Sequence, residues 1–136
     1  MSSWDGNGFD EYNSSLFHEI LGQQLVQVIL ENDGHDLYFF TPDSIFHYEA
    51  CGDCCSESWV EYISDNVYAV SDAIVQEIYV KHTHQDGTRQ ESDEVDFVTL
   101  VTDKGYFDIE FRNSSNGYYG GFMVLKGFED ASQHFL

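Results

Sequence analysis

Hydrophobic and polar residues alternate along several short stretches of this chain, which is the pattern of half-buried strands. Turn-forming residues separate these stretches, including Asn-Asp-Gly-His at 32–35 and Asp-Lys-Gly at 103–105. Each of these two turn sequences predicts a hairpin. The predicted strands cover residues 24–31, 37–41, 45–48, 73–82, 95–102, 106–111 and 122–126.

Two other stretches show helical spacing. The first is 14–21, which Gly22 would end. The second begins at Ser58, because Ser58 and Glu61 fit a capping box and the next apolar residues recur at helical spacing. Residues 84–94 are polar and charged, so a long exposed loop is expected there.

Length and composition bound the fold class. The 136 residues are 42% hydrophobic and 16% aromatic, which is enough for one hydrophobic core. Residues 1–13 are polar and Gly-rich and are predicted to form a flexible tail. The remaining residues, 14–136, are predicted to form a single α+β domain, mainly antiparallel sheet with one or two short helices.

Acidic residues exclude several classes of partner. The chain has 25 Asp+Glu against 5 Lys+Arg, which gives a formal net charge of -20. No basic stripe is available to replace the counterions of a polynucleotide or to approach an anionic membrane. The simplest interpretation is a well-solvated acidic surface, and mimicry of nucleic acid by an acidic inhibitor is an alternative.

Cysteine usage and the N-terminal sequence indicate a compartment. No basic and apolar segment resembles a signal peptide, and no apolar run approaches transmembrane length. The chain has three Cys residues, and an odd number of Cys in a chain without an export signal suggests reduced thiols. A cytoplasmic protein is therefore expected.

The stretch Glu-Phe-Arg-Asn-Ser-Ser-Asn-Gly-Tyr-Tyr-Gly-Gly at 110–121 has the most unusual composition. It surrounds Arg112 with amides, hydroxyls and aromatic rings. A planar guanidinium suits phosphate, and an outward-facing Tyr could stack on a base. The same residues could also form an ordinary hairpin loop, because they are good turn formers.

A second unusual stretch, Cys-Gly-Asp-Cys-Cys-Ser-Glu-Ser-Trp-Val-Glu at 51–61, lies upstream. Together with His82 and His84, its cysteines offer a weak zinc pattern. Cys is also one of the most buried residue types, so packing is the alternative for Cys51, Cys54 and Cys55. No metal site is predicted, and no spacing supports a cysteine nucleophile.

The two stretches together resemble a small domain family of phages and bacteria that includes the phage anti-Thoeris sponge proteins. The resemblance covers roughly residues 20–127. It rests on Gly-Asp-Cys-Cys-Ser-Glu-Ser-Trp-Val-Glu at 52–61 and Asn-Ser-Ser-Asn-Gly-Tyr-Tyr at 113–119. Those sponge proteins bind cyclic ADP-ribose signals and sequester them without degrading them.

The resemblance implies a non-enzymatic anti-defence protein, in the cytoplasm of an infected bacterium, that binds a small cyclic nucleotide without a cofactor. It also implies a homo-oligomer with ligand near subunit interfaces. The alternative is an acidic protein-interaction module or inhibitor of a host protein. The ligand-binding residues carried over from the family are Arg112, Asn113, Ser115, Asn116 and Tyr118.

Overall fold

The computed structural model describes residues 16–52, 55–116 and 121–130. Nine strands make up most of these residues. In chain order they are β1 Gln24–Leu25, β2 Gln27–Glu31, β3 Asp36–Phe40, β4 Ser44–Gly52, β5 Glu57–Ile63, β6 Ala73–Asp86, β7 Ser92–Thr102, β8 Gly105–Ser115 and β9 Gly121–Asp130.

The fold is nearly all-β, so the α+β prediction is wrong. The described residues contain short 3-10 helices at His18–Ile20, Asn32–Gly34 and Asp65–Val70, and no helix of seven or more residues. The helix predicted to begin at Ser58 is strand β5. Aromatic and β-branched side chains fill that stretch, and they suit a pleated surface better than a helix.

The strands form two antiparallel sheets. The larger has the order β1-β6-β7-β8-β5, and the smaller has the order β2-β3-β4-β9. Val26 alone separates β1 from β2, so the chain passes from one sheet to the other within one residue. This crossing ties the two sheets together at an early point in the chain.

One hydrophobic cluster joins the two sheets. It takes Leu37, Phe39 and Tyr48 from the smaller sheet and Leu100 and Phe107 from the larger, and each is almost fully buried. Burial of one such side chain contributes roughly 1.5–3 kcal/mol to the free energy of folding. The shared core fixes which face of the larger sheet points inward.

The larger sheet has a buried inner face and an exposed outer face. Phe107, Ile109 and Phe111 alternate along β8 and are buried on the inner face. Tyr106 and Tyr79 lie on the outer face and are about half exposed, at 55% and 47%. By the strand register, Arg112 continues the outer row of β8 and Asn113 continues the inner row.

The strands of the larger sheet are longer than predicted. Strand β6 extends to Asp86 and β7 begins at Ser92, so the loop predicted over 84–94 shrinks to residues 87–91. Strand β8 likewise extends to Ser115. Polar residues occupy these extensions because the strands continue beyond the apolar core, where cross-strand pairs replace hydrophobic contacts.

The hairpins predicted at 32–35 and 103–105 are confirmed by the pairing of β2 with β3 and of β7 with β8. No helix within the described ranges has the length and apolar character needed to cross a membrane. The predicted tail, 1–13, lies outside the described residues.

Candidate functional site

The two sequence motifs meet at one end of the larger sheet. Strand β5 carries Glu-Ser-Trp of the first motif, and the end of β8 carries Arg-Asn-Ser-Ser of the second. The two strands are antiparallel neighbours, with Ser58 opposite Asn113 and Trp59 opposite Arg112. Strand pairing therefore places side by side two segments that the sequence predicts as a helix and a loop.

Alternation along β8 sends the predicted ligand-binding residues to opposite faces. Asn113 and Ser115 point to the inner face and are 3% and 1% exposed. The hydroxyl of Ser58 donates a hydrogen bond of 2.7 Å to Oδ1 of Asn113. Arg112 points to the outer face, so the strand does not bring Arg112 and Asn113 together.

Arg112 is held by three side chains. Its Nε donates to Glu110 at 2.6 Å, its Nη1 to Asp93 at 2.9 Å and its Nη2 to Gln85 at 3.0 Å. Burial acts to lower the pKa of Arg112, but the bonds to Glu110 and Asp93 outweigh it and raise the pKa. The guanidinium that the sequence assigned to phosphate binding is thus engaged within the sheet.

Asp93 fastens the 87–91 hairpin over the outer face. Its side chain is fully buried and accepts hydrogen bonds from the backbone N–H and hydroxyl of Thr88, at 3.1 and 2.8 Å. Burial acts to raise the pKa of Asp93, but hydrogen bonds from Ser114, Thr88 and Arg112 lower it. Ser114 in turn accepts the backbone N–H of Gln90 at 2.9 Å.

The hairpin places Arg89 on Trp59. The guanidinium carbon lies 3.8 Å from the centre of the indole ring, which is a cation–π contact. Trp59 is 3% exposed and its Nε1 donates to Glu61 at 2.7 Å, whereas Arg89 is exposed. Among the described residues, no carboxylate forms a salt bridge with Arg89.

A groove opens beside this pair. We call it the Trp59–Arg89 groove; its volume is about 560 Å³. The opposite wall is the β2–β3 turn, in which Nδ1 of His35 lies 2.7 Å from the backbone oxygen of Asn32. The groove is lined by residues 30–35, 59–61 and 89. The lining carries three carboxylates, those of Glu31, Asp33 and Glu61, and one guanidinium, that of Arg89.

Arg89 is not among the ligand-binding residues predicted from the sequence. The only available signal is its rarity, because Arg89 and Arg112 are the two arginines among five basic residues. Of the predicted residues, Asn116 is exposed just beyond β8, and Tyr118 lies outside the described residues. The sequence did identify Trp59, although as a core residue.

The histidines of the weak zinc pattern have a different setting. His82 lies on the inner face, with Nδ1 2.6 Å from Asp96 and Nε2 3.2 Å from Glu94. The bond to Asp96 raises the pKa of His82 against the lowering effect of burial. Within the described ranges, no group of three or more His, Cys, Asp or Glu side chains is arranged to hold a metal ion.

Cys51 is half-buried, and its thiol donates to Glu49 at 3.8 Å. Burial and the neighbouring carboxylate raise the pKa of Cys51, which opposes formation of a nucleophilic thiolate. Cys55 is exposed, and its backbone oxygen accepts a hydrogen bond from Gln90 at 2.9 Å. Cys54 lies outside the described residues.

Comparison with known proteins assigns the chain to a family. Residues 18–125 match a domain of unknown function, DUF7448. The chain belongs to this family. The matched segment contains Trp59, Arg89 and Arg112, so the whole Trp59–Arg89 groove lies within the DUF7448 domain.

A viral protein is also similar to this DUF7448 chain. An uncharacterized protein of Acanthamoeba polyphaga mimivirus is 35% identical over 77 residues, which are 54% of this chain and 61% of the viral protein. The match therefore spans less than two thirds of that relative. No solved structure matches the chain.

Proposed function

We propose that this protein is a non-enzymatic viral anti-defence protein that binds and sequesters a cyclic nucleotide immune signal of the cyclic ADP-ribose type. The observation that carries the proposal is Arg89, an exposed residue whose guanidinium carbon lies 3.8 Å from the ring centre of Trp59, at the edge of a groove of about 560 Å³. The motif resemblance and the similarity to a mimivirus protein support the viral context.

Arg89 takes the phosphate-binding role that is predicted for Arg112 from the sequence. A guanidinium binds phosphate through two parallel N–H donors, and Arg112 directs one N–H from each of its three nitrogens to Glu110, Asp93 and Gln85. Arg89 makes no salt bridge among the described residues, and its contact with the indole ring helps to hold the guanidinium in place. A fixed cation is needed here, because a net charge of -20 repels an anionic ligand at long range.

In this proposal Asn116 and Tyr118 keep the roles predicted from the sequence, Asn116 as a donor to ribose or base edges and Tyr118 as a stacking ring. Arg112, Asn113 and Ser115 support the site and do not contact the ligand. Asn113 and Ser115 are buried on the inner face, and Arg112 anchors Asp93, which holds the hairpin that carries Arg89. Capture of this kind requires positioned donors and no proton transfer.

The test is calorimetric titration with cyclic ADP-ribose isomers and cyclic oligonucleotides. At least one should bind and be recovered chemically unchanged by mass spectrometry. Arg89→Gln should weaken that binding by about tenfold to a hundredfold, because a hydrogen bond to a charged group contributes about 1.5–3 kcal/mol.

Lys81→Gln is the matched control. Lys81 is exposed on β6, and its replacement changes the net charge by the same amount without touching the groove. It should leave the dissociation constant within about twofold. Equal losses in both variants, no binding by any ligand of the panel, or recovery of a converted ligand would each contradict the proposal.

A further inference from the structure

Strand β2 forms one edge of the smaller sheet in the part of the chain that the structure describes. Among the described strands, β2 pairs only with β3, so its other edge presents backbone N–H and C=O groups that no strand uses. Natural edge strands are usually protected by Lys, Pro or a bulge. β2 has the sequence Gln-Val-Ile-Leu-Glu, and its pairing with β3 runs without a register shift.

An apolar groove lies beside this edge, between β2 and the 3-10 helix Asp65–Val70. Its volume is about 540 Å³. Val26 is 40% exposed beside it, and Tyr68 is 83% exposed at its rim. Apolar side chains that line the groove include Val26, Val28, Leu30, Val67, Val70 and Phe107.

The combination of a backbone edge and an apolar wall selects the chemistry of an occupant. A hydrocarbon chain would cover the apolar wall but leave the backbone groups of β2 without hydrogen bonds, which costs about 1–3 kcal/mol for each buried group. An extended peptide satisfies both features, because its backbone pairs with the edge while alternate side chains enter the groove.

We propose that β2 and this groove bind an extended segment of a partner protein, which adds to the smaller sheet as a fifth strand. The segment has alternating apolar residues and a basic flank. The basic flank is complementary to the exposed Glu31 at the end of β2 and to the net charge of -20. A second copy of this chain is disfavoured as the occupant of this edge, because its five basic residues are scattered among 25 acidic ones and form no basic flank.

This site is independent of nucleotide capture. The peptide groove and the Trp59–Arg89 groove share one lining residue, Leu30, and no charged side chain. Arg89→Gln should therefore leave peptide binding unchanged, and failure of either proposal leaves the other standing.

The experiment uses the full chain and a synthetic peptide of alternating valine and threonine with lysine at both ends. Binding should slow amide hydrogen exchange in Gln27–Glu31 by at least about tenfold. Two further peptides carry N-methyl groups on alternate residues, one set on each edge of the extended peptide. Methylation of one edge should abolish binding and methylation of the other should not, because only one edge of the peptide pairs with β2.

Tyr68→Ser should weaken peptide binding about tenfold by removing the rim of the groove. Tyr106→Ser removes the same type of side chain, 55% exposed, from the outer face of the other sheet and should have no effect. Three results would overturn the proposal: no binding at millimolar peptide, equal effects of the two methylation patterns, or slowed exchange at a strand other than β2. A dimer of this chain that the peptide dissociates would show that a second copy occupies the edge.

Discussion

Arg89 and Arg112 occupy the same end of the outer face and have different partners. The charge of Arg112 is balanced by Glu110 and Asp93, whereas Arg89 contacts the ring of Trp59. A sequence shows that both residues are arginines but not which carboxylates reach them. That distinction depends on register, which brings Asp93 on β7 directly opposite Ser114 and diagonal to Arg112.

His82 should make stability depend on pH. Its pKa in the folded protein is raised above the ordinary value of 6.5, chiefly by the hydrogen bond to Asp96. The resulting stabilisation is fully present below pH 6.5 and is lost as pH rises through the raised pKa. The wild type should therefore have a higher free energy of unfolding in urea than His82→Gln. This difference should be largest at acidic pH and should shrink toward alkaline pH.

Asp96→Asn provides the control for His82, because it removes the carboxylate that stabilises the protonated ring. The pH dependence attributed to His82 should flatten in that variant. An excess that grows with rising pH in the wild type would show that burial, which lowers the pKa of His82, outweighs the hydrogen bond.

At the scale of elements, the sequence predicts strands well wherever one face is apolar. Phe107, Ile109 and Phe111 alternate with polar residues, and β8 forms as predicted. The prediction fails where a strand leaves the core, as in the ends of β6 and β8. There the polar residues have no periodic signal and are ordered by cross-strand partners, such as Ser58 with Asn113.

Strand β5 shows a second limit. Trp59, Val60 and Ile63 fit helical spacing, and two of the three are also buried in the strand. A bulge between Val60 and Tyr62 breaks the simple alternation that would have identified β5 as a strand. Pairing with β8 determines the conformation of β5. The local sequence pattern does not predict pairing between distant segments.

The β2–β3 turn should be sensitive to one methyl group. Gly34 has φ +90, and an added Cβ would lie 2.2 Å from the backbone oxygen of Val60. Gly34→Ala should therefore lower the free energy of unfolding by about 2–4 kcal/mol, through backbone strain and through a clash with rigid backbone. Urea unfolding monitored by tryptophan fluorescence measures the change.

Gly22→Ala separates the two causes. Gly22 has a similar φ of +82, but an added Cβ would have no neighbour within 4 Å. Only the strain remains, so the loss should be about 1–2 kcal/mol. Equal losses at Gly22 and Gly34 would mean that the turn moves away from β5 at little cost.

For the whole molecule, the sequence predicts an antiparallel sheet protein but not its division into two sheets. Val26 marks the point where the chain changes sheets, and it stands within the mainly apolar stretch 24–31, which the sequence predicts as one strand. The division arises because β2 pairs with its neighbour β3, whereas β1 pairs with the distant strand β6, where Gln24 lies opposite Ile74. Turn residues predict hairpins, but they do not predict which hairpins stack.

The acidic charge of the whole chain should make salt stabilising. With 25 acidic and 5 basic residues, repulsion among carboxylates opposes the compact state. Raising sodium chloride from about 10 mM to about 300 mM shortens the screening length from about 30 Å to roughly 6 Å. The melting temperature should rise by roughly 5 °C, as a change of about 1–2 kcal/mol produces in a domain of this size.

Potassium chloride should give the same rise at equal ionic strength, because screening does not depend on the identity of the ion. A fall in melting temperature with salt would mean that pairs such as Arg112 with Asp93 contribute more than the general repulsion.

The pairing of β5 with β8 has a consequence for how this domain can evolve. Ser58 and Asn113 are 55 positions apart in the chain, yet they share one buried hydrogen bond. Deletion of a single residue in either strand would reverse the faces of every side chain beyond it. A length change in one motif therefore requires a matching change in the other if their shared hydrogen bond is to survive.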